Sequence, residues 1–445
     1  MNPIIKINLE SFKEISWTVV LLFFLKYMGL VPSQQMFIIY AIILVIMIGF
    51  AKKIIIPYVN GLLLYFVFIV YSTGIGLLLY ETRTVVRDLY YVFPTVVVIV
   101  LGYYLKIVYN GRVNILKTIA FCGAMASTIC FIKAISNLSV FKDGESMRTA
   151  FDTGSYEIAV AFIIVFCAIF TKIEIRLFRT WINWVIFLLM LAQLVLSLAR
   201  SVWIETIIGC IVVILMEGYI NKNVLCIAKK VVIVAVFAFV GFTFFINIAP
   251  QSAVDTFFEK FENTSQELDS KQEFDSTTDA MNNWRGYENQ SAKTQWQESS
   301  VFEEIFGHGM GKGIHLKYVP YTWASMVQNS EIPILHNGYY TVLSKGGIVG
   351  MIALVWLMLA NVIIGIKLIT KRKDIQGELL VLITIEFIFM IQTYVVRGPV
   401  AQNVNFVTAI LVGWINADIK RGKQESKSQK IEEEQNDYNS LLLQR

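Results

Sequence analysis

Long apolar runs recur along the whole chain, and they constrain its fold more than any other feature. A helix needs roughly 20 apolar residues to cross the hydrocarbon core of a bilayer, and hydropathy finds about twelve such runs here. They lie near residues 15–31, 36–50, 58–80, 89–105, 115–135, 156–171, 180–198, 201–220, 230–249, 347–366, 379–396 and 400–416. Each run is continuously apolar, whereas the strands of a membrane β-barrel would alternate.

Composition agrees with a membrane protein. Hydrophobic residues make up 56% of the 445 positions and charged residues only 16%, which excludes an ordinary soluble domain. We expect an all-α fold, a polytopic transmembrane helical bundle of about twelve spans with a large extracytoplasmic loop between spans nine and ten. The predicted segments are transmembrane helices 1–9 (residues 1–249), the large loop with amphipathic helices (250–346), transmembrane helices 10–12 (347–418) and a disordered cytoplasmic tail (419–445).

The distribution of basic residues predicts the orientation. If the N-terminus is cytoplasmic, the short inner loops hold 15 Lys and Arg residues and the short outer loops hold 7. Cytoplasmic loops carry the excess of these residues, so both termini are expected in the cytoplasm and the polar segment 250–335 outside it. The predicted location is the cytoplasmic membrane, with the bilayer as a partner. The net charge of +5 follows from this bias and gives no indication of nucleic-acid binding.

Arginine is concentrated on the predicted outer face, although Lys outnumbers Arg in the chain, 26 to 12. The outer loops carry Arg83, Arg87, Arg148, Arg200, Arg285 and Arg397. A guanidinium binds phosphate through paired hydrogen bonds and stays charged, so this face suits an anionic ligand. The alternative is contact with lipid headgroups or helix ends. That alternative is favoured for Arg83 and Arg87, which have acidic neighbours. Both interpretations stay open for Arg200 and Arg397, each the only charge in a tight turn.

The large loop contains helix-like stretches and a glycine-rich segment. Val254, Phe257, Phe258 and Phe261 recur at helical spacing and predict an amphipathic helix on the membrane. A second helix is expected from about Asn283 to Ser299. The segment 307–313 lacks the first glycine and the hydroxyl residue of a phosphate-binding P-loop, and we expect it to form a flexible turn.

One of the three histidines stands where the polar loop meets the next apolar helix. It is His336, followed by Asn337. An imidazole changes its charge near neutral pH and can accept a proton in catalysis. His336 is therefore a candidate general base, whereas His308 and His315 are interpreted as loop residues.

The sequence gives little support for a metal site or for catalysis within the membrane. The chain has no His-Glu-x-x-His segment, no Asp-x-Asp pair and no zinc-like Cys/His spacing, so no metal or other cofactor is expected. Glu386 lies within an apolar run, which makes it a functional candidate by default. We prefer a structural interpretation, in which Glu386 pairs with Lys26 or another buried base, or forms a hydrogen bond to a polar neighbour. Apart from Glu205, no second carboxylate is expected inside the membrane.

Three elements in one order resemble the superfamily of O-antigen ligases and polymerases. They are a Ser-x-x-Arg turn (Ser197 and Arg200), an Arg beside a Trp in the large loop (Trp284 and Arg285), and a His-Asn pair (His336 and Asn337) followed by Gly346, Gly347 and Gly350. Ala199 departs mildly from the pattern, which more often has Ser there. The resemblance covers the whole predicted topology, and its motifs occupy residues 197–350.

The resemblance implies a function. Members of that superfamily transfer a glycan from a polyprenyl diphosphate carrier to a sugar hydroxyl outside the membrane, without a metal. By that resemblance, His336, Arg200 and Arg285 are expected to be catalytic. Arg397, Asn337, Arg148 and Trp284 are expected to bind substrate. The expected partners are a polyprenyl diphosphate-linked oligosaccharide and a glycan or lipid acceptor, with a flippase and a chain-length regulator as candidates.

Several functions remain as alternatives. A metal-independent polymerase of capsular or exopolysaccharide repeat units is favoured, because polymerases are the more diverse members of the superfamily. A ligase, which moves finished glycan to a lipid or cell-wall acceptor, uses the same chemistry. A polysaccharide transporter or flippase would need a polar pathway and repeated halves, and we find no internal repeat. A membrane scaffold would leave His336 and the outer arginines unexplained.

Overall fold

The chain is described by a computed structural model over residues 13–52, 54–142, 144–222, 274–319, 330–401 and 405–422, with single residues between 232 and 258. These residues form helices almost throughout, numbered in chain order as α1 Trp17–Tyr27, α2 Ser33–Phe50, α3 Leu62–Leu79, α4 Thr82–Tyr109, α5 Ile115–Ser136, α6 Gly144–Phe151, α7 Ser155–Phe170, α8 Thr180–Leu196, α9 Arg200–Asn221, α10 Thr277–Asn282, α11 Trp284–Gln297, α12 Val301–Phe306, α13 Gly338–Ile369, α14 Gln376–Val396 and α15 406–422. Short 3₁₀ turns cover Leu138–Lys142 and Lys373–Ile375, and two strands, β1 Ile314–His315 and β2 Glu331–Ile332, pair antiparallel.

The predicted all-α polytopic fold is confirmed. Seven described helices are long and apolar enough to cross a membrane, and α6 with α7, bent by 65°, would make an eighth. Two further apolar helices, α1 and α8, are shorter. The predicted number of about twelve spans stays a prediction. Helix α15 includes residues 419–422 of the predicted tail, and the rest of that tail lies outside the described residues.

The helices differ in how much of their surface is enclosed. Helix α7 is central, because it packs against α5, α8 and α9 and its residues from Ile158 to Cys167 are all buried. Helix α13 packs along α14 and α3. By contrast, only 17% of the residues of α2 are buried within the protein, namely Met36, Tyr40 and Met47. A helix that exposes apolar residues on most of its circumference suits contact with lipid.

Helix α13 is broken at the point where it meets the large loop. Gly347 has φ 58° and ψ −158° inside it, a conformation that is essentially restricted to glycine. A side chain at Gly347 would overlap the backbone of Ile305 at the end of α12. The break therefore separates residues 338–346, which pack under the loop, from the longer apolar part of the helix.

The glycine-rich segment is not the flexible turn that its composition predicts. His308 and Met310 are buried. The backbone N–H of Met310 donates to the carbonyl of Ser72 at 2.9 Å, and that of His308 donates to the carbonyl of Ser344 at 3.0 Å. Lys345 forms an ion pair with Asp88, and both side chains are buried. This segment therefore packs between α3, α4 and α13. Its glycines allow the backbones to approach closely.

A small apolar cluster organises the part of the loop nearest His336. It includes Phe274, Tyr287, Ile314 and Leu335, all buried. Its members come from α10 and the residues before it, from α11, from the strand pair and from the chain before α13, so the cluster holds these segments together. Val254 and Phe258 of the predicted amphipathic helix are helical, whereas Phe257 and Phe261 lie outside the described residues.

Candidate active site

His336 is positioned by the start of α13. The side chain of the next residue, Asn337, caps this helix, because its Oδ1 accepts the backbone N–H groups of Tyr339 at 3.0 Å and Tyr340 at 3.4 Å. Gly338 leaves no room for a side chain, since a Cβ there would overlap the carbonyl of Arg397. The start of α13 therefore packs directly on the turn that follows α14, which brings His336 and Arg397 together.

A buried carboxylate holds the imidazole of His336. Its Nδ1 lies 3.1 and 3.0 Å from the two carboxylate oxygens of Glu288, and the backbone N–H of His336 donates to Oε2 at 2.8 Å. Because an ionised carboxylate only accepts hydrogen bonds, the proton of a neutral imidazole belongs on Nδ1 and the lone pair on Nε2. The Glu288 side chain is 3% exposed and that of His336 26%, so the carboxylate lies behind the ring and the ring reaches solvent.

Arg397 lies beside this pair. It occupies the left-handed region, φ 83°, directly after α14, and its Nε donates to the carbonyl of Leu335 at 3.1 Å. Burial lowers the pKa of the guanidinium, and the nearby Glu288 carboxylate opposes that shift. The arginine is thus held close to the predicted base.

His336 and Arg397 line the same cavity, which has a volume of about 630 Å³. Helices α1, α2, α7 and α14 supply most of its wall, together with the turn before α7, His336 before α13 and the residues after α14. Its polar lining consists of Lys26, Ser33, Thr153, Tyr156, Glu157, His336, Gln392, Arg397 and Asn405. A concave site that combines aromatic and apolar walls with convergent polar groups is typical of ligand binding.

Arg200 and Arg285 lie at the border of the cavity rather than among its lining residues. Tyr156 links them to it: its hydroxyl lies 2.8 Å from that of Ser201, the neighbour of Arg200 at the start of α9. Arg285 is within electrostatic range of the same tyrosine. On α11, Arg285 and Glu288 are three residues apart and share one helical face. Tyr156 thus connects the surroundings of Arg200 and Arg285 with the cavity that His336 lines.

The other predicted substrate-binding residues lie farther out or have structural contacts. The ring of Trp284 packs 5.8 Å from that of Tyr287, at the edge of the apolar cluster. Arg148 is on α6 and is not among the residues that line the cavity. Asn337 is 3% exposed and is engaged in capping α13. Substrate binding by these three residues stays a prediction.

Two features of the site were missed by sequence reasoning. One is Glu288, whose signal is its spacing of three residues from Arg285 on a predicted helix. The other is an ion pair between Lys26 of α1 and Glu157 of α7, whose side chains are 14% and 12% exposed. Nothing local in the sequence joins these two residues, which are 131 positions apart.

The contact of Glu386 is one of those that the sequence predicts. Glu386 accepts a hydrogen bond from its polar neighbour Asn361, through Nδ2 at 2.7 Å, whereas Lys26 pairs with Glu157. Glu205 accepts one from Gln392 Nε2 at 2.9 Å. The expectation of no further carboxylate inside the membrane besides Glu205 stays a prediction. Glu157 and Asp88 are also buried within the protein. Each of them has a cationic partner, which offsets the cost of burying the charge.

His308 has a partner arrangement that resembles that of His336. Its Nδ1 lies 3.1 Å from Glu303 Oε1, and its Nε2 lies 3.0 Å from the Ser299 hydroxyl. Burial lowers the pKa of this imidazole although Glu303 opposes the shift. The Ser299 hydroxyl donates to the carbonyl of Gln295 at 2.8 Å, so it is engaged with its own helix. This cluster therefore fixes α12 to the glycine-rich segment. Among the described residues, no group of three or more His, Cys, Asp or Glu side chains could hold a metal ion.

Comparison with known proteins agrees with the geometry. Residues 185–355 match the family model described as O-antigen ligase. That segment is similar to the O-antigen ligase family over about 38% of the chain. The match supports the superfamily of O-antigen ligases and polymerases that the motifs indicate. It includes Arg200, Arg285 and His336, whereas Arg397 and the cavity residues of α1 and α7 lie outside it. No curated protein matches the chain significantly.

Proposed function

We propose that the protein polymerises lipid-linked oligosaccharide repeat units at the outer face of the cytoplasmic membrane. The observation that carries this proposal is the pairing of His336 with the buried carboxylate of Glu288, in a cavity that also contains Arg397. A general base and a fixed cation in one cavity suit a transfer in which a hydroxyl loses a proton and a diphosphate leaves. The match of residues 185–355 to the O-antigen ligase family model supports the same class of reaction.

The proposed reaction is a displacement at the anomeric carbon of the carrier-linked sugar. The acceptor hydroxyl oxygen forms the new C–O bond while its proton passes to Nε2 of His336. The bond from the anomeric carbon to the diphosphate breaks, and its electron pair leaves with the polyprenyl diphosphate. Glu288 holds Nδ1–H and stabilises the imidazolium that forms, as the orienting carboxylate does in other dyads and triads.

The arginines have the complementary task. A diphosphate is a good leaving group, so the reaction needs stabilisation of the departing negative charge rather than a general acid. Arg397 next to the base, with Arg200 and Arg285 at the border, would provide guanidinium groups that bind phosphate oxygens in pairs. The proposed mechanism uses no metal.

The orientation belongs to the same proposal. The bias of 15 inner against 7 outer basic residues favours cytoplasmic termini and a site outside the cell membrane. A carrier-linked substrate would then have to be moved across the membrane before it reacts. A flippase and a chain-length regulator are therefore proposed as functional partners.

A ligase is the second candidate, because the domain match bears the name of that activity. The two functions differ in the acceptor and not in the chemistry at His336. Deletion of the gene followed by extraction of carrier-linked glycan separates them. Single repeats on the carrier support the polymerase, and long chains on the carrier support the ligase. Repeats that remain at the inner face would contradict both and support a transporter.

A further inference from the structure

The ion pair of Lys26 with Glu157 lies inside the cavity but has no task in the proposed reaction. Lys26 is near the end of α1, and Glu157 is in the first turn of α7. Both side chains line the cavity, and each is partly exposed, 14% and 12%. The pair presents its remaining surface to the space that contains His336.

We propose that Lys26 and Glu157 form a subsite that binds a sugar ring through a pair of adjacent hydroxyl groups; this inference rests on the proposed function and deepens it. An ammonium has three donor protons, and a carboxylate has several acceptor positions beyond one salt-bridge contact. The pair thus offers a donor and an acceptor side by side. Neighbouring hydroxyls of a sugar match that arrangement, since one can accept from the ammonium while the other donates to the carboxylate.

The surroundings of the pair fit a sugar better than a phosphate. The rings of Phe23, Tyr27 and Tyr156 line the same space, and aromatic rings can cover the apolar face of a sugar. A lone Lys would attract the diphosphate, but Glu157 cancels its charge within the pair. Arg397, which contacts the Leu335 carbonyl beside His336, is the arginine among the lining residues. We therefore assign anion binding to Arg397 and the sugar to the neutral ion pair.

The subsite is also shaped by a tight turn. Gly154, with φ 67°, precedes α7, and a side chain there would overlap the ring of Tyr27. The turn holds the α1 aromatic ring against the start of α7, beside the ion pair. Gln392 and Asn405 also line the cavity, and Asn405 Nδ2 donates to Gln392 Oε1 at 3.2 Å, so they add polar groups to the same space.

Binding can be measured apart from turnover. The probes are carrier-linked glycan extracted from cells that lack this protein, and bare polyprenyl diphosphate. For the purified full-length protein, we expect the glycan-bearing lipid to bind about 10-fold more tightly than the bare lipid, and Glu157→Gln and Lys26→Met to remove that advantage. Affinity for bare diphosphate should stay within about two-fold. Loss of affinity for the bare lipid in Lys26→Met would overturn the proposal, because it would show that Lys26 binds the diphosphate.

Steady-state kinetics provide a second test of the subsite. In both variants the KM for the glycan-bearing lipid should rise about 10-fold with kcat changed by less than about three-fold. Glu331→Gln is the matched control, because Glu331 pairs with Lys312 at 3.3 Å in the large loop and does not line the cavity. The exchanged double variant, Lys26→Glu with Glu157→Lys, separates binding from folding. It restores the ion pair but interchanges donor and acceptor, so the thermal midpoint should recover while KM stays raised.

Recovery of both quantities in the exchanged variant would reduce the pair to a structural contact. Equal affinity of the unaltered protein for the glycan-bearing and bare lipids would also overturn the subsite. By contrast, tight and selective glycan binding without turnover in the unaltered protein would contradict the proposed transferase while leaving the subsite intact.

Discussion

The chemistry of the site depends on which nitrogen of His336 carries the proton. Glu288 decides this, since it contacts Nδ1 and the backbone N–H of the same residue. The histidine itself could be predicted, because it stands at the end of the polar loop before a glycine-rich helix. Its carboxylate partner, 48 residues earlier, could not, because only the packing of α11 on the start of α13 brings them together.

Glu288→Gln should lower kcat by about 10²- to 10⁴-fold and change KM little. An amide is neutral, so it stabilises the imidazolium less than the carboxylate does, and only one of its two ends accepts hydrogen bonds. If its NH₂ group faces Nδ1, the imidazole proton moves to Nε2 and the base is lost. The measurement is the steady-state rate with carrier-linked glycan across pH. Glu303→Gln is the control, because Glu303 Oε1 contacts Nδ1 of another histidine, His308, at 3.1 Å. Equal effects of the two substitutions would mean that Glu288 only supports the fold.

The arginines can be tested by a change that keeps the charge. Arg200→Lys, Arg285→Lys and Arg397→Lys should each reduce kcat by about 10²-fold, because an ammonium lacks the planar fork that binds two phosphate oxygens. Arg83→Lys, at an exposed position on α4, should leave the rate unchanged. Rates are compared at equal amounts of folded protein. Full activity in the three variants would mean that these arginines contact lipid headgroups and do not bind the diphosphate.

At the scale of elements, hydropathy predicted the helices better than their interruptions. A continuous apolar run is a local signal, whereas the break in α13 at Gly347 depends on the close approach of α12. The glycine-rich segment shows the same limit. Its composition suggests flexibility, but contacts with Ser72 and Ser344 give it a fixed place.

Gly347→Ala tests the fit between the large loop and α13. Its Cβ would overlap the backbone of Ile305, and the conformation at this position is unfavourable for alanine. We expect the free energy of unfolding to fall by about 1–3 kcal/mol or more, with reduced turnover because the start of α13 carries His336. Thermal unfolding in detergent measures the first effect. Gly74→Ala, in α3 with nothing within 4 Å of the added Cβ, should be neutral. Equal stability of the two variants would contradict the described packing.

At the scale of the whole molecule, the sequence could predict an all-α membrane protein but not how its helices meet. Spanning length and apolar composition follow from the bilayer. The neighbours of each helix depend on contacts between distant residues, such as Asp88 with Lys345, 257 positions apart. The cavity is likewise assembled from α1, α2, α7 and α14, so no single segment reveals it.

The orientation of the molecule can be measured directly. Cysteine introduced at the exposed Ser276, in the large loop, should react with a membrane-impermeant thiol reagent on intact cells or spheroplasts. Cysteine at Ser426 should react only after the membrane is opened, because the basic tail is expected inside. Labelling is compared with the unaltered protein, whose four described cysteines are all buried. The reverse pattern would move the site to the cytoplasmic side and contradict an extracytoplasmic transferase.

The central claim is that His336 is the general base of a metal-independent glycan transfer. The measurement is turnover of carrier-linked oligosaccharide by the purified protein in detergent, with EDTA and without nucleotide. The unaltered protein and His315→Ala, at an exposed histidine of β1, should be active, and activity should fall at acid pH because a protonated imidazole cannot accept a proton. His336→Ala should abolish transfer while the carrier still binds. Retained turnover in His336→Ala, or an absolute requirement for a divalent metal, would contradict the mechanism.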